Sequence, residues 1–508
     1  MTNPPIVPSA PFEGIKEIVP GNPAEAASSG RSSHAANQGL RTLVLAGLFA
    51  VPALMCVHAA FVSDMDLWWH LRTGEWILAH HTVPRADPFS SAMAGKPWMA
   101  YSWLFELLAV KLYTWLGLAG SVAYSSAMIL TITGAMFHLV RRLQGGFPRA
   151  VLLSFAGVFC MAHLYTPRPW LFTILFFILE MDILMQARKT GRLRELLWLP
   201  ALFALWANVH IQFVDGLFVL GLAWAETLAA GWGLGEKTRL RPTAIGLALA
   251  GSLLATLVNP YGWRIYQAAY ELATQAGALN KVTELQAIPF RNAADFMVLM
   301  LAMGSAAALA WQRRVLLFET ALLGFAAVLA FRSQRDVWVM AVAGAAILAS
   351  MIAGSGKEAV RLPKMGTALA VLLAVLAVAM GFSRMQVNNA RLEGDLAKTL
   401  PVHAVEAVKA KGYAGPLYND FNWGGYLIWA LRMPVSIDGR QNLYGDQRMD
   451  RSIATWSAQP DWASDAQLTQ AGLVIGPVKA PLTQALRMDP RFQLAYEDQV
   501  AAVFIARK

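Results

Sequence analysis

The chain has 508 residues, of which 56% are hydrophobic and 15% charged, and its mean hydropathy is +0.43. Soluble domains are about half apolar and about a quarter charged, so this composition excludes an ordinary soluble protein and points to a polytopic membrane protein. The net charge of +10 would suggest nucleic acid in a soluble domain. Here most of the clustered Lys and Arg fall in short gaps between apolar runs, where they set orientation, and no nucleic-acid partner is expected. Cys56 and Cys160 each lie inside an apolar stretch, which leaves no disulfide framework or cysteine-based metal site.

Residues 1–39 are rich in Pro, Ala, Ser and Gly without an apolar period and are expected to form a disordered cytoplasmic tail. An apolar run over 40–62, preceded by Arg31 and Arg41, is long enough to span a bilayer and is predicted to stay as the first helix. Ten further spans are predicted at 121–141, 149–164, 170–187, 195–210, 214–232, 242–258, 294–312, 315–331, 337–354 and 365–382. With the N-terminus inside, every basic gap falls on the cytoplasmic side: Arg141, Arg142 and Arg149; Arg188, Lys189, Arg192 and Arg194; Lys237, Arg239 and Arg241; Arg313 and Arg314; Lys357, Arg361 and Lys364. A further span at 103–119 would break that agreement. Because Trp103–Leu118 carries Glu106 and Lys111, it is predicted instead as an amphipathic helix on the membrane surface.

The same topology leaves two pieces outside, a first external loop over 63–120 and a C-terminal segment over 383–508. Val402–Gly412 has a helical pattern, Gly425–Trp429 and Val435–Asp438 are predicted as short strands and Ala501–Ala506 as a closing strand, giving a small α/β domain large enough for its own core.

The first external loop begins Ser63-Asp64-Met65-Asp66-Leu67-Trp68-Trp69-His70-Leu71-Arg72-Thr73-Gly74-Glu75, continues through Val83-Pro84-Arg85-Ala86-Asp87-Pro88-Phe89-Ser90 and ends at Lys96-Pro97-Trp98. Two acids one residue apart at a helix exit can hold a divalent cation (Mg or Mn), place one carboxylate as a general base, or simply end the helix in water. Trp68 and Trp69 stack on a sugar or anchor at the interface.

An acidic pair in a large first external loop, a surface helix, many spans and a C-terminal extracytoplasmic domain together resemble the GT-C superfamily of integral-membrane glycosyltransferases. The likeness is strongest to bacterial members with the loop pattern D-x-D-L-W-W-H-L-x-x-G-E followed by V-P-x-x-D-P-F-S. Tyr418-Asn419-Asp420-Phe421-Asn422-Trp423-Gly424-Gly425-Tyr426 and Ile437-Asp438-Gly439-Arg440 also resemble the end domain of such proteins. The resemblance implies a polytopic α-helical membrane fold of about eleven helices in the bacterial inner membrane, a sugar donor on a polyprenyl phosphate and a glycan or lipid acceptor. It places Asp64 and Asp66 as the catalytic positions. No W-W-D-Y-G type sequence is present, which argues against protein N-glycosylation from a lipid-linked oligosaccharide.

Other polar residues converge on the level of Asp64: Tyr165 and Arg168, Asn208 and His210, Asn259 and Tyr261, and Arg332, Arg335 and Asp336. Ionisable groups gathered at one membrane depth suggest a shared polar cavity. Taken singly, Arg168 and Arg335 can snorkel to headgroups, His210 can be a satisfied helix-end histidine and Asn259 can terminate a helix. An anionic phosphate needs a guanidinium fork, and Arg332 and Arg335, three residues apart on a continuing helix, are the preferred pair. Asp64 is expected as the base, with Asp66, His70 and Glu75 orienting it or holding a metal. The competing readings are a non-catalytic transport or assembly protein for envelope polysaccharide, and a glycan polymerase or ligase using lipid diphosphate donors. No matched pair of broken helices in two halves supports the transporter.

Overall fold

The computed structural model describes residues 23–59, 64–144, 146–236, 238–274, 282–312, 314–351 and 364–507. Ser63, Lys237, Arg313, Lys357, Arg361 and the tail to residue 22 lie outside the described residues. The first helix runs Pro23–Ala59. It therefore takes in the second half of the expected tail, whose alanine-rich sequence favours a helix and whose Pro23 suits a first helical position.

Apolar helices occupy the predicted positions from Leu118–Gln144 to Lys364–Arg384. Six described helices are long and apolar enough to cross a membrane, while Phe147–Cys160 and Pro242–Thr256 are shorter. Local chemistry sets their ends. Pro148 stands in the first turn after Gly146, Gly191 closes Trp170–Thr190 in the left-handed region at φ 73°, and Asn292 with Asp295 forms a capping box on Ala293–Trp311.

The basic gaps meet at one end of the bundle. Lys189 reaches the Arg142 carbonyl at 3.5 Å, Arg239 donates to the Lys189 carbonyl at 2.9 Å, and Arg314 pairs with Glu236 at 2.9 Å. The opposite end carries the first loop and the short turns between helices. Arg85 donates to the Pro260 carbonyl and His163 meets the Gln334 carbonyl there.

The first loop holds two helices, Leu67–His80 and Trp103–Leu116. The second, predicted as an amphipathic helix on the membrane surface, exposes Lys111, but Glu106 is fully buried together with Phe105 and Val110. Glu106 turns inward onto His70, a long-range partner that helical periodicity cannot reveal.

In the C-terminal segment, β1 (Leu417–Asn419), β2 (Leu473–Pro477), β3 (Phe492–Glu497) and β4 (Ala501–Ala506) form a sheet of order β1-β2-β4-β3, with β1 parallel to β2 and the other pairings antiparallel. Side chains alternate between two cores. Tyr418, Val474, Ala502 and Phe504 pack with Trp456 and Leu482 on one face. Leu417, Leu473, Ile475 and Val503 face a core shared with Trp68, Trp69, Phe89 and Trp98 of the first loop. The segment thus closes one of its cores only by docking on that loop.

The predicted strand at Gly425–Trp429 is instead part of the helix Gly424–Leu431, buried continuously over residues 424–428. Such continuous burial does not separate strand from helix in a short apolar run. Val435–Asp438 forms no ladder either: Val435 makes an isolated bridge with Ser90, donating to the Phe89 carbonyl at 3.1 Å while its own carbonyl accepts from Ser91 N–H at 2.8 Å.

A buried ion network fastens loop to domain. Arg440 donates to Asp87 Oδ1 at 2.7 Å and to Asp438 at 2.8 Å through Nε and 2.7 Å through Nη2, with its guanidinium 4.6 Å from the Trp98 ring centroid. Tyr444 donates to Asp438 at 2.6 Å, and Asp87 also accepts from the Phe89 and Ser90 N–H groups. All three charged side chains are at most 1% exposed. Arg440→Met strands two buried carboxylates and is expected to cost about 3–5 kcal/mol, read as a lowered unfolding temperature of the purified protein in nanodiscs. Adding Asp87→Asn and Asp438→Asn should recover part of the loss; an unchanged melting temperature for Arg440→Met would show that the network contributes little.

Candidate functional site

The acidic pair and Arg168 form the centre of the site. Asp64 Oδ1 accepts the Asp66 N–H at 3.0 Å, which fixes the turn into the Leu67–His80 helix. Arg168, on the turn before Trp170–Thr190, donates through Nε to both Asp64 oxygens at 2.7 and 2.8 Å and through Nη1 to Asp66 Oδ2. Its own carbonyl is held by the Tyr124 hydroxyl at 3.0 Å. Burial pushes the Asp66 carboxyl up to about 6, even with Arg168 pulling the other way. Burial also opposes the Arg168 charge, but the two carboxylates outweigh it and hold the guanidinium firmly protonated.

Asp66 and Arg168 open onto a cavity of about 210 Å³. First-loop residues Trp69, His70, Trp98, Tyr101 and Glu106 supply one wall. Turns at the ends of the membrane helices supply another, with His210, Gln212, Asp215, Arg332, Arg335 and Asp336. Residues Gly439–Asn442 of the C-terminal segment complete it. Gly439 is required there by proximity: a Cβ would lie 1.9 Å from Asp66 Oδ1. The C-terminal segment therefore presses directly on the acid.

On the helix-end wall, His210 Nδ1 lies 2.8 Å from Thr173 Oγ1, which also accepts Trp206 Nε1–H at 2.8 Å. Trp206 and His210 thus meet on one hydroxyl. Gln212 donates to Asp336 at 2.8 Å. Arg335 sits 3.5 Å from Glu284, a loose pair, and its buried Nε has no hydrogen-bond partner among the described residues. Among the described residues, Arg332 reaches the Ala273 carbonyl at 3.5 Å. The two arginines do not share a continuing helix, because Leu317–Arg332 ends at an extended Ser333 and Gln334–Asp336 forms a separate turn. Both nevertheless line the cavity.

His70 Nδ1 and Glu106 Oε1 are 3.2 Å apart and both side chains are buried. Burial drives the two groups in opposite directions, His70 well below and Glu106 well above their ordinary values. Glu106, Gln212 and Arg440 are wall residues that sequence reasoning did not single out as site residues. The available signal for Glu106 was one acid among the apolar residues of the Trp103–Leu116 helix.

Several expected residues are used elsewhere. Asn259 accepts the Tyr261 N–H at 2.7 Å and donates to the Thr256 and Gly262 carbonyls, closing its own turn. Tyr261 donates to the Pro84 carbonyl and accepts the Ala100 N–H, both at 2.9 Å, and so anchors the first loop. Neither belongs to the cavity wall. Asn208 is spent on Trp103 and the Ala204 and Val258 carbonyls, and Tyr165 donates to the Val158 carbonyl. Glu75 pairs with Arg72 and with Arg432 of the C-terminal segment. Trp68 is buried edge-on against Tyr426, with ring centroids 5.0 Å apart, so it is a core residue.

The described residues hold no group of three or more His, Cys, Asp or Glu arranged for a metal ion. Three of the four Asp64 and Asp66 oxygens already accept from Arg168. A donor set built around a guanidinium does not fit a resident divalent cation, and no step below runs through one.

No family model matches the chain, and no curated protein matches it. The arrangement of apolar helices, first loop and C-terminal segment shares its overall fold with solved structures of low sequence identity, and six of the described helices are long and apolar enough to cross a membrane. Among solved structures it is similar to the archaeal oligosaccharyltransferase AglB from Archaeoglobus fulgidus, in complex with an inhibitory peptide and a dolichol-phosphate. The TM-score is 0.56 at 10% identity, over 85% of this chain and 69% of AglB. The apo form of the Archaeoglobus fulgidus oligosaccharyltransferase gives 0.51 at 11% identity, with the same coverage. ArnT from Cupriavidus metallidurans bound to undecaprenyl phosphate gives a TM-score of 0.47 at 15% identity, over 90% of this chain and 97% of ArnT.

Proposed function

We propose that this protein is a membrane glycosyltransferase that moves a sugar from a polyprenyl-phosphate donor to a hydroxyl of an envelope glycan or lipid, on the extracytoplasmic face of the bacterial inner membrane. The observation that carries the reading is one cavity with an arginine-held acid, Asp66, on its wall and two lightly engaged arginines, Arg332 and Arg335, on the same wall system. The fold shared with AglB, solved with a dolichol-phosphate, agrees with a lipid-phosphate donor.

In this mechanism the acceptor oxygen forms a bond to the anomeric carbon as the bond from that carbon to the phosphate oxygen breaks. The acceptor proton passes to a carboxylate, and the polyprenyl phosphate leaves with the bonding electron pair. Asp66 is the better base than Asp64, because Asp66 lines the cavity while both Asp64 oxygens are occupied by Arg168 Nε. Arg168 orients Asp66, and Arg335, with an unpartnered buried Nε, offsets charge developing on the leaving phosphate. The N-terminus is assigned to the cytoplasm because the basic gaps gather at the bundle end away from this cavity.

A base must be deprotonated to act, so kcat/KM should fall as pH drops through about 6, where Asp66 titrates, and level off above it. Asp66→Asn should remove that limb and lower turnover by roughly 10²–10⁴-fold; wild-type turnover by this variant rules Asp66 out as the base. Arg335→Ala should raise KM for the donor far more than for the acceptor, with only partial recovery in Arg335→Lys because the fork is lost. Steady-state kinetics with both substrates varied decide this, and an unchanged donor dependence removes Arg335 from phosphate binding. A reporter fused after Lys508 should read outside and one near Arg192 inside; finding both in one compartment overturns the orientation.

A further inference from the structure

The helix Arg264–Thr274 divides its surface into three strips. Ile265 and Ala268, 1% and 2% exposed, face the bundle, while the Tyr266 hydroxyl bonds with that of Thr256 and its ring stands edge-on to Phe213 at 5.5 Å. These contacts fix the helix across the cavity-side ends of Pro242–Thr256 and Phe213–Gly231. Trp263, just before the first turn, and Tyr270, about two turns later, are 69% and 71% exposed and make the second strip. Arg264, Gln267 and Glu271 are exposed too and make the third, with Gln267 donating to Glu271 at 2.8 Å. At roughly 100° per residue, the aromatic strip falls between this polar strip and Ala269 and Ala273, which line the cavity.

The aromatic strip continues an apolar surface. Leu254 and Val258, 67% and 70% exposed, lie on the helix end and turn that lead up to Trp263. Exposed aliphatic side chains that give way to Trp and Tyr, with charged side chains beyond them, follow the order of a lipid-facing surface crossing into the headgroup layer. The cavity opens at the same place. Of the described residues that line it, Ala273 and Arg332 are the exposed ones. They face each other across the gap between Arg264–Thr274 and Leu317–Arg332, with Arg332 Nη2 3.5 Å from the Ala273 carbonyl. Tyr270 stands one turn before Ala273, and Val328, 64% exposed, one turn before Arg332, so an aromatic and an aliphatic side chain flank the opening.

We propose that Arg264–Thr274 lies in the boundary layer of the bilayer on the cavity side, with Trp263 and Tyr270 seated among headgroups and upper acyl chains and with Arg264, Gln267 and Glu271 in water. The partner of this surface is the lipid bilayer itself, and the anchored helix sets the depth at which the cavity opens between Ala273 and Arg332. The inference needs a membrane-embedded chain and does not need the transferase reading. Under that reading, the opening meets a lipid-linked phosphate at the level where it already lies.

The test reads depth, not turnover. Cys56 and Cys160 are buried, so a nitroxide thiol reagent is directed to cysteines introduced singly at Trp263, Gln267, Tyr270, Glu271, Ala273 and Val328, and the parent protein treated alike gives the background. In phosphatidylglycerol–phosphatidylethanolamine nanodiscs, collision rates with oxygen and with a water-soluble nickel chelate give each label's depth. Labels at 263 and 270 should lie about 5–10 Å below the water boundary, the label at 328 deeper, and those at 267 and 271 in water. Adding Trp263→Ser and Tyr270→Ser to Ala273→Cys should move the label at 273 toward water; if that protein does not fold, Tyr270→Ser with Ala273→Cys carries the comparison. Labels at 263 and 270 as open to the chelate as those at 267 and 271 overturn the proposal. So does protection of 263 and 270 from both reagents, which means a protein partner or a second copy covers them, and so does an unmoved label at 273. None of these readings involves a sugar, so failure of the transferase reading leaves the anchor standing, and failure of the anchor leaves the chemistry at Asp66 untouched.

Discussion

The site depends on one buried contact, the Arg440 guanidinium clamped between Asp87 of the first loop and Asp438 of the C-terminal segment. Three charges with side-chain exposures of 0–1% can be tolerated only when each is paired and hydrogen-bonded, and here Tyr444 and the Phe89 and Ser90 N–H groups satisfy the remaining oxygens. Apolar packing alone would let the domain slide over the loop. Directed charge-assisted bonds fix one arrangement, and that arrangement sets Gly439 against Asp66 and adds residues 439–442 to the cavity wall. Stability of the docked domain and geometry of the acid are therefore one problem.

A second constraint is the sharing of Arg168 by both acids. Alone, two neighbouring carboxylates at the edge of a membrane protein would repel one another and resist burial. With Arg168 between them, Asp64 remains a fixed strut while Asp66 keeps a face toward the cavity. The loop wall adds the buried His70–Glu106 pair. Lightly engaged arginines stand at the ends of the membrane helices.

Where the geometry places residues away from the cavity or unexpectedly on it, the physical reason is the same. Asn259 and Tyr261 were read as polar groups at the level of Asp64, but their hydrogen bonds close a turn and anchor residues 84 and 100. Depth in the membrane specifies a layer and says nothing about which way a side chain points within it. Glu106 is the opposite case, a residue not singled out for the site that lies among the cavity residues. A lone acid in an apolar helix signals either a solvated stripe or a buried pair, and only the close approach at Gly74 selects the pair.

Apolar run length, the placement of Lys and Arg, and the acidic pair at a helix exit are properties of contiguous residues. They determined the membrane class, the helix positions and the loop that bears the site. Which acid faces the cavity, what Glu106 touches and how the C-terminal segment docks rest on contacts such as Asp64 with Arg168, 104 residues apart, and Asp87 with Arg440, 353 apart. Hydropathy and periodicity report only on the element a residue belongs to. Pairings across such separations are set by how whole helices pack, and that was decided by the tertiary structure.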